Sequence, residues 1–334
     1  MEGMVNVLAL TIADTACELY RIYIPFIHLR RHGINAVWIN ASQMAMNVLL
    51  GGTAHLGWDI VVLPRYIIRK DRGDPDKEAR AIVEGIRATG AKVVYEADDD
   101  LTSIYRDVGG DGRVVARYCD AITVTSRRLA RIMDVDIPSY VLPNSVDLDY
   151  CHWHHSPDGV LITGSPTHDD DWFQVVPALD RLVKEGVRVA CIGSYPSYFR
   201  DIGVEHIDYL PYEEYMRKMS EFRVGLAPLS DDPFNEGKSP LKAIEYMANG
   251  VIPVCSNHIV YREMFGHAYL VRTEDEWYRM IRQALSASYE RRKKNRKWVE
   301  KRYSIQVNWK LWVKAYREIA YGCSLATRKQ VNIR

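Results

Sequence analysis

Short apolar runs alternate with longer stretches in which apolar residues recur every three or four positions, almost from one end of the chain to the other. The short runs predict strands over 5–11, 36–39, 60–63, 92–95, 121–124 and 140–142. The longer stretches between them predict helices near 18–31, 42–50, 76–89, 113–118 and 126–133. Runs such as VVL, KVVY and AITVT are apolar without alternation, the pattern of strands covered on both faces. Strand–helix alternation of this kind calls for right-handed crossovers and a parallel sheet.

A second series begins after LPNSVDLDYCHWHHSPDG, a stretch rich in Pro, Asp, Ser and His with the makings of a hinge. Its strands are predicted over 160–163, 188–192, 206–209, 224–227, 252–255 and 269–271. Its helices are predicted near 169–185, 212–220, 240–249, 274–287 and 290–302. A last helix, 305–321, carries Trp309, Trp312, Val313, Tyr316 and Ile319 at spacings of three and four. One apolar face means a docking partner, and the expected partner is the N-terminal domain. The expected division is therefore 1–147, 148–304 and a returning helical segment, 305–334.

Composition narrows the class without changing this picture. A length of 334 residues suits two domains, and 47% hydrophobic residues suit ordinary globular folding. The balance of 44 Lys+Arg against 43 Asp+Glu gives no global sign of a polyanionic partner. No apolar run is long enough to span a bilayer, and the N-terminus lacks a basic leader. Six cysteines, at 17, 119, 151, 191, 255 and 323, are scattered without a CxxC pair. That usage suits buried thiols in a reducing compartment, so a soluble cytoplasmic protein is expected.

In open α/β sheets, ligands sit beyond the carboxyl ends of the strands. The loop after the first strand, TIADTACELYR, contains no glycine, so neither a GxGxxG turn nor a GxxxxGK[ST] loop is present there. The most informative stretch is DDPFNEGKSPLKAIEYMANGVIPVCSN, 231–257. Ser239 reads as an N-cap, Pro240 as the first helical residue and Gly250 as the stop. Such a helix start offers free N–H groups to an anion, and Lys238 and Lys242 add charge suited to a diphosphate. Glu245, further along, can accept from two neighbouring hydroxyls, as on a ribose. An ordinary capped helix with solvated Lys and Glu is the other reading of these residues.

The segment EGKSPLKAIEYMANGVIPVCSN resembles the nucleotide-sugar-binding motif of GT-B glycosyltransferases, in particular retaining family 4 and its relatives. The match is to a Lys-Ser variant of that motif. Four further stretches fall in the family's order: VLPNSVD at 141–147, ITGSPTHDDDW at 162–172, VACIGSYP at 189–196 and YLPYEEY at 209–215. The resemblance implies a GT-B fold, two Rossmann-like domains facing each other across a cleft, with the last helix packing back on the first domain. It implies that Glu245 binds the donor ribose, and that backbone at Pro240, Leu241 and Lys242, with Lys238 and Ser239, meets the phosphates or the sugar. Pro240 itself has no N–H to give. Gly164, Ser165 and His168 fall in the loop where donor phosphates are met, and Leu210 where the base is contacted. The family's first motif acid has no clean counterpart: Gly237 stands eight positions before Glu245, and Glu236, one step earlier, is the catalytic candidate there, beside Asp98 and Asp99.

Other residues carry two readings each. Thr167 reads as an N-cap, with Asp169, Asp170 and Asp171 opposing the helix dipole. The acidic run EADDD, 96–100, suggests either a metal-binding DxD or a solvated loop. GT-B order favours no metal, with Asp98 or Asp99 holding or deprotonating an acceptor hydroxyl. Asp14 and Arg21 are acceptor-side candidates. The cluster Cys151, His152, His154 and His155 lacks tetrahedral spacing, and Trp153 is expected to pack the linker. ERRKKNRKWVEKR, 290–302, holds eight basic and two acidic residues, a solvated face or a contact for anionic membrane or nucleic acid. Residues 1–147 show no matching excess, with 17 Lys/Arg against 19 Asp/Glu.

The resemblance implies transfer of a hexosyl or pentosyl group from a nucleotide-diphosphate sugar to an acceptor hydroxyl, with retention and with no cofactor required. A UDP-sugar is the first expectation and a GDP-sugar the second. The acceptor is expected to be a glycan, polysaccharide or lipid-linked glycan. Hydroxymethylated pyrimidines in DNA are the rival acceptor, and a non-catalytic nucleotide-sugar binder is the rival class.

Overall fold

The computed structural model describes residues 3–11, 15–40, 57–68, 73–102 and 111–322. The predicted helix at 42–50 and Cys323 lie outside the described residues. By contacts the chain forms two compact units. The first comprises residues up to Asn144, the short segment Glu236–Ser239 and the chain from Ile305 onward. The second comprises Ser145–Asn235 and Pro240–Ser304.

In the first unit, β1 (Val5–Thr11), β2 (Ile34–Asn40), β3 (Ile60–Pro64), β4 (Lys92–Ala97), β5 (Ala121–Val124) and β6 (Ser139–Val141) form one parallel sheet. Its order is β2-β1-β3-β4-β5-β6, so the winding reverses between β1 and β3. The unalternating runs are covered on both faces as read: Ile60, Val61, Val62 and Leu63 are all buried. One face packs on the amphipathic helix Pro75–Arg87 through Ala79, Val83 and Ile86. Asp74 caps that helix by accepting from the Asp76 and Lys77 N–H groups.

The helix predicted over 18–31 is not uniform. Ala16–Glu18 is α-helical, Leu19–Tyr23 is a π turn, and Ile24–Leu29 returns to α. Pro25 has no N–H to close the usual bond to the Arg21 carbonyl, which frees the backbone to widen here. The widened turn buries Tyr20, Arg21 and Ile22 in succession.

The last helix, Ile305–Tyr321, docks on this first unit through the face its spacing marked out. Tyr316 meets Phe26 edge-on at 6.2 Å, Trp309 stacks on His32 at 3.5 Å, and Trp312 lies under the Arg21 guanidinium at 4.9 Å. Tyr321 Oη donates to the Gly3 carbonyl at 2.8 Å.

In the second unit, β7 (Val160–Gly164), β8 (Val189–Gly193), β9 (Glu205–Ile207), β10 (Val224–Ala227), β11 (Ile252–Ser256) and β12 (Tyr269–Val271) form the other parallel sheet. Its order, β12-β11-β10-β7-β8-β9, is the doubly wound order with its switch between β7 and β10. The helical stretch read as 169–185 is broken. Asp169–Trp172 and a 3₁₀ turn, Phe173–Val175, precede the helix Val176–Lys184, because Pro177 can sit only in a first turn. Two short helices, Ser197–Asp201 and Pro233–Glu236, give too few residues to show a period and were not read from the pattern.

The helix Leu241–Ala248 ends as expected, with Gly250 left-handed at φ 71°. Its start differs from the sequence reading. Pro240, at ψ 30°, stands outside the helix as the N-cap residue, and no side chain caps it. Ser239 is drawn away because its Oγ accepts from Asn144 Nδ2 at 2.8 Å.

Candidate functional site

The strand order of the second unit directs attention to the carboxyl ends of β7 and β10. β7 closes on Gly164, where a Cβ would stand 2.8 Å from Trp172 Cζ2 and 2.9 Å from His168 Cδ2. No larger residue lets the His168 ring lie this close to the strand end. Beside it, Gly193 ends β8 with φ 98°, and a Cβ there would stand 2.5 Å from the Gly164 carbonyl oxygen. That carbonyl accepts from the Ser194 N–H at 2.9 Å, so two glycines lock the turns after β7 and β8 together.

Asp171 organises the loops on both sides of the switch. Its carboxylate is buried; Oδ1 accepts from Ser230 N at 2.8 Å, Ser230 Oγ at 2.7 Å and Asn235 Nδ2 at 2.9 Å. Its Oδ2 lies 3.2 Å from His168 Nδ1, fixing that ring's orientation. The sequence reading put Asp171 with Asp169 and Asp170 as a helix-dipole acid. The structure corrects that reading: Asp171 turns inward to join the loops after β7 and β10. Thr167 does not cap the helix either, since its Oγ1 pairs with Ser165 Oγ at 2.8 Å. Ser165 itself is exposed in this turn.

Deeper in the same unit, Glu245 is 2% exposed on the helix Leu241–Ala248. Its Oε2 accepts from Tyr215 Oη at 3.2 Å and from Lys242 Nζ at 3.4 Å. Lys242 Nζ also donates to Tyr215 Oη at 3.2 Å, and the same phenol lies 3.1 Å from Thr163 Oγ1 on β7. Burial and the neighbouring carboxylate hold the Tyr215 phenol well above its usual range, so it remains a donor. A carboxylate, an ammonium and a phenol are thus gathered beside the end of β7, one turn along a helix that starts beyond β10. Tyr215 lies within YLPYEEY, where nothing in its spacing tells a packed tyrosine from an oriented one. Leu210 is half-buried in the loop after β9, and its neighbour Tyr209 is 66% exposed with its ring over Gly193.

The segment Glu236–Ser239 takes its contacts from the first unit. The Arg128 guanidinium donates to the Glu236 and Lys238 carbonyls. A Cβ on Gly237 would stand 2.8 Å from Asp100 Cβ. The Glu236 side chain is exposed. Asn144 links Ser239 inward, because its Oδ1 accepts from Arg21 Nη1 at 3.0 Å. Arg21 is buried in turn: Nε and Nη2 donate to Glu96 at 2.8 and 3.3 Å, and Nη1 donates to the Leu142 carbonyl. The guanidinium proposed for an acceptor is therefore engaged with protein acceptors. Burial pushes the Glu96 carboxyl up to about 7, against the pull of Arg21 and Thr123.

The acidic run of the first unit also differs from a solvated loop. Asp98 is buried and Asp99 half-buried. Arg65 Nη1 lies 2.5 Å from Asp98 Oδ1, 3.0 Å from Asp99 Oδ2 and 3.2 Å from Cys17 Sγ. Cys17, Asp98 and Asp99 have the donor types of a cation site, and the guanidinium occupies the place between them. Burial and Asp98 push the Asp99 carboxyl up to about 6, while Arg65 and Lys238 pull it down. Asp14 lies outside the described residues. The HWHH stretch behaves as packing: Trp153 lies against Gly250 and under Arg292, and the His152 and His154 carbonyls accept from Arg296 and Arg292.

No curated protein sequence matches the chain. Residues 174–314 match the model of a family described as glycosyl transferase-like. Solved structures similar to the chain include AviGT4, a glycosyltransferase involved in avilamycin A biosynthesis (TM-score 0.64, 14% identity, 96% of this chain and 99% of that one). Trehalose-6-phosphate synthase OtsA is similar at TM-score 0.65 and 12% identity, over 94% of this chain and 99% of that one. So is the catalytic domain of starch synthase IV from Arabidopsis thaliana, bound to ADP and acarbose, at TM-score 0.66 and 10% identity over 96% and 100%. The chain has the GT-B fold of two Rossmann-like domains, and a glycosyltransferase-like region lies within it.

Proposed function

We propose that the chain is a glycosyltransferase that takes a nucleotide-diphosphate sugar and passes the sugar to an acceptor hydroxyl. The observation that carries this reading is the buried Glu245 carboxylate, oriented by Tyr215 and Lys242 beside the switch point of the second sheet. A carboxylate held this way accepts from the two hydroxyls of a ribose. The turn at Gly164, Ser165 and His168, the N–H groups at the start of Leu241–Ala248 and the ammonium of Lys238 supply donors for the diphosphate. They act most strongly on the charge that develops as the leaving group departs. Tyr209 and Leu210 supply an apolar platform for the base.

In this reading the first unit receives the acceptor, with Asp98 and Asp99 orienting its hydroxyl. Transfer proceeds with retention, and the leaving phosphate takes the acceptor proton. UDP is the first donor nucleotide to test and GDP the second; the acceptor is a glycan or lipid-linked glycan. The transfer needs no resident cofactor. The exposed Glu236 side chain then serves the transferred sugar rather than the phosphates. An NMR assay of turnover products tests the mechanism: a product anomer of the same configuration as the donor's supports retention. Inversion, with loss of activity in Asp99→Asn, assigns Asp99 as the base instead. A chain that binds nucleotide and never turns over donor, even by hydrolysis, is a binding protein.

A further inference from the structure

The helix Tyr289–Arg302 divides its charges unequally. Arg292, Asn295 and Val299 are buried on one side, and Arg292 donates to the Gly250 and His154 carbonyls at 2.6 and 2.9 Å. Arg296 is half-buried and pairs with Glu300 at 3.1 Å. Lys293, Lys294, Lys297 and Lys301 are all exposed, as is Arg302. At 100° per residue these lysines share the face opposite Arg292 and Val299. Glu290 is the one exposed carboxylate on that helix.

A loop is pinned to the flank of the same helix. Asn295 Nδ2 donates to the His267 carbonyl at 2.9 Å, Asn295 Oδ1 lies 3.0 Å from His267 Nδ1, and the His267 ring stacks on Trp298 at 4.5 Å. Two residues back, Phe265 is 81% exposed, more than any other large apolar side chain described. Trp298 lies between the buried face and Lys294 and Lys301 around the helix, so the loop carrying Phe265 borders the lysine face. Arg262 and Glu263 on the preceding turn are exposed as well.

We infer that this surface is a peripheral docking site for an anionic lipid bilayer. The lysines neutralise headgroup charge, and Phe265 enters the interfacial layer beside them. Duplex nucleic acid would also draw the lysines, but it admits a phenyl ring only by unstacking a base step, which is costly. A lipid interface uses both. The inference is independent of the donor reading, since it involves none of the residues at the β7–β10 switch.

Flotation of the full chain with vesicles tests it. At about 0.1 M salt the chain should float with phosphatidylcholine vesicles containing phosphatidylglycerol, and stay behind with pure phosphatidylcholine. Replacing Lys293, Lys294, Lys297 and Lys301 together by Gln should lower the partition at least about a hundredfold, each lysine contributing about fivefold. Phe265→Ser should lower it about tenfold with no change in melting temperature, because the ring contributes little to the folded core. High salt should erase the lysine effect and leave the phenyl effect. Absence of flotation with anionic vesicles overturns the inference. So does flotation indifferent to both variants, or binding to duplex DNA alone that Phe265→Ser leaves unchanged.

Discussion

Tyr215 Oη lies 3.2 Å from Glu245 Oε2 and 3.1 Å from Thr163 Oγ1, tying a carboxylate on one helix to the end of β7 through a single phenol. The phenol is held protonated by burial and by the carboxylate, so it donates toward Glu245 across the ordinary pH range. Tyr215→Phe removes this donor and leaves the ring in place. Loss of one hydrogen bond to a charged group should weaken nucleotide binding about tenfold, worth about 1.4 kcal/mol. Titration calorimetry with UDP and GDP measures it, and the melting temperature should fall by a few degrees because the buried Glu245 carboxylate and Thr163 lose a partner.

The Arg21–Glu96 pair predicts a stability effect of another size. Both side chains are nearly inaccessible, at 2% and 1%. At pH 8, where the Glu96 carboxyl is ionised beside it, Arg21→Met leaves a buried carboxylate without its cation and should cost about 3–5 kcal/mol in urea unfolding. The cost exceeds that of any exposed pair such as Arg181–Glu185, where removal should cost under about 1 kcal/mol.

Glu96 also sets a pH dependence. Its folded-state pKa of about 7 lies above the ordinary carboxyl value, so between about pH 4.5 and 7 the folded chain binds a proton that the unfolded chain has lost. Stability from this group is therefore complete below the ordinary value and declines as pH rises through about 7. Asp99, pushed to about 6, adds a slope of the same sign. Urea midpoints measured at steps from pH 4.5 to 8 should fall less steeply in Glu96→Gln than in wild type.

Crowding at the glycine turn gives a further outcome. Gly164→Ala places a methyl 2.8 Å from the buried Trp172 and 2.9 Å from the His168 ring, and the ring, which is partly exposed, should yield. The expected result is a loss of about 1–3 kcal/mol in stability together with weaker diphosphate binding. Gly193→Ala meets a backbone oxygen at 2.5 Å and has a positive φ, so its stability loss should be larger.

Most of the twelve strands among the described residues were legible as apolar runs, because strands covered on both faces leave few polar interruptions, whereas the edge strand Glu205–Ile207 is largely exposed and offers no such run. The last helix was legible from its spacing of three and four: Trp312, Val313, Tyr316 and Ile319 share one face and all are buried. Helix starts were harder. Ser239 has the chemistry of a cap, but an asparagine 95 residues away takes its hydroxyl. Asp171 looked like two neighbouring acids and differs from them only in what the chain folds against it. Lys238 and Glu245 could be singled out from their motif, whereas Tyr215 becomes a partner only when β7 and two helices meet. Arg65, which lies between Asp98 and Asp99, is not legible in the sequence, because a lone arginine after a strand carries no pattern.

A thermal-shift series with UDP, GDP, ADP and their sugar conjugates, run on wild type and Glu245→Ala, bears most directly on the central claim. Ligand that binds only the folded chain raises the melting temperature by mass action. One nucleotide diphosphate should stabilise the wild type clearly. Glu245→Ala should lose that response about a hundredfold in ligand concentration, while 2′-deoxy analogues should stabilise the wild type less than their ribose parents. A wild type indifferent to every nucleotide, or a Glu245→Ala variant that responds as the wild type does, contradicts the account.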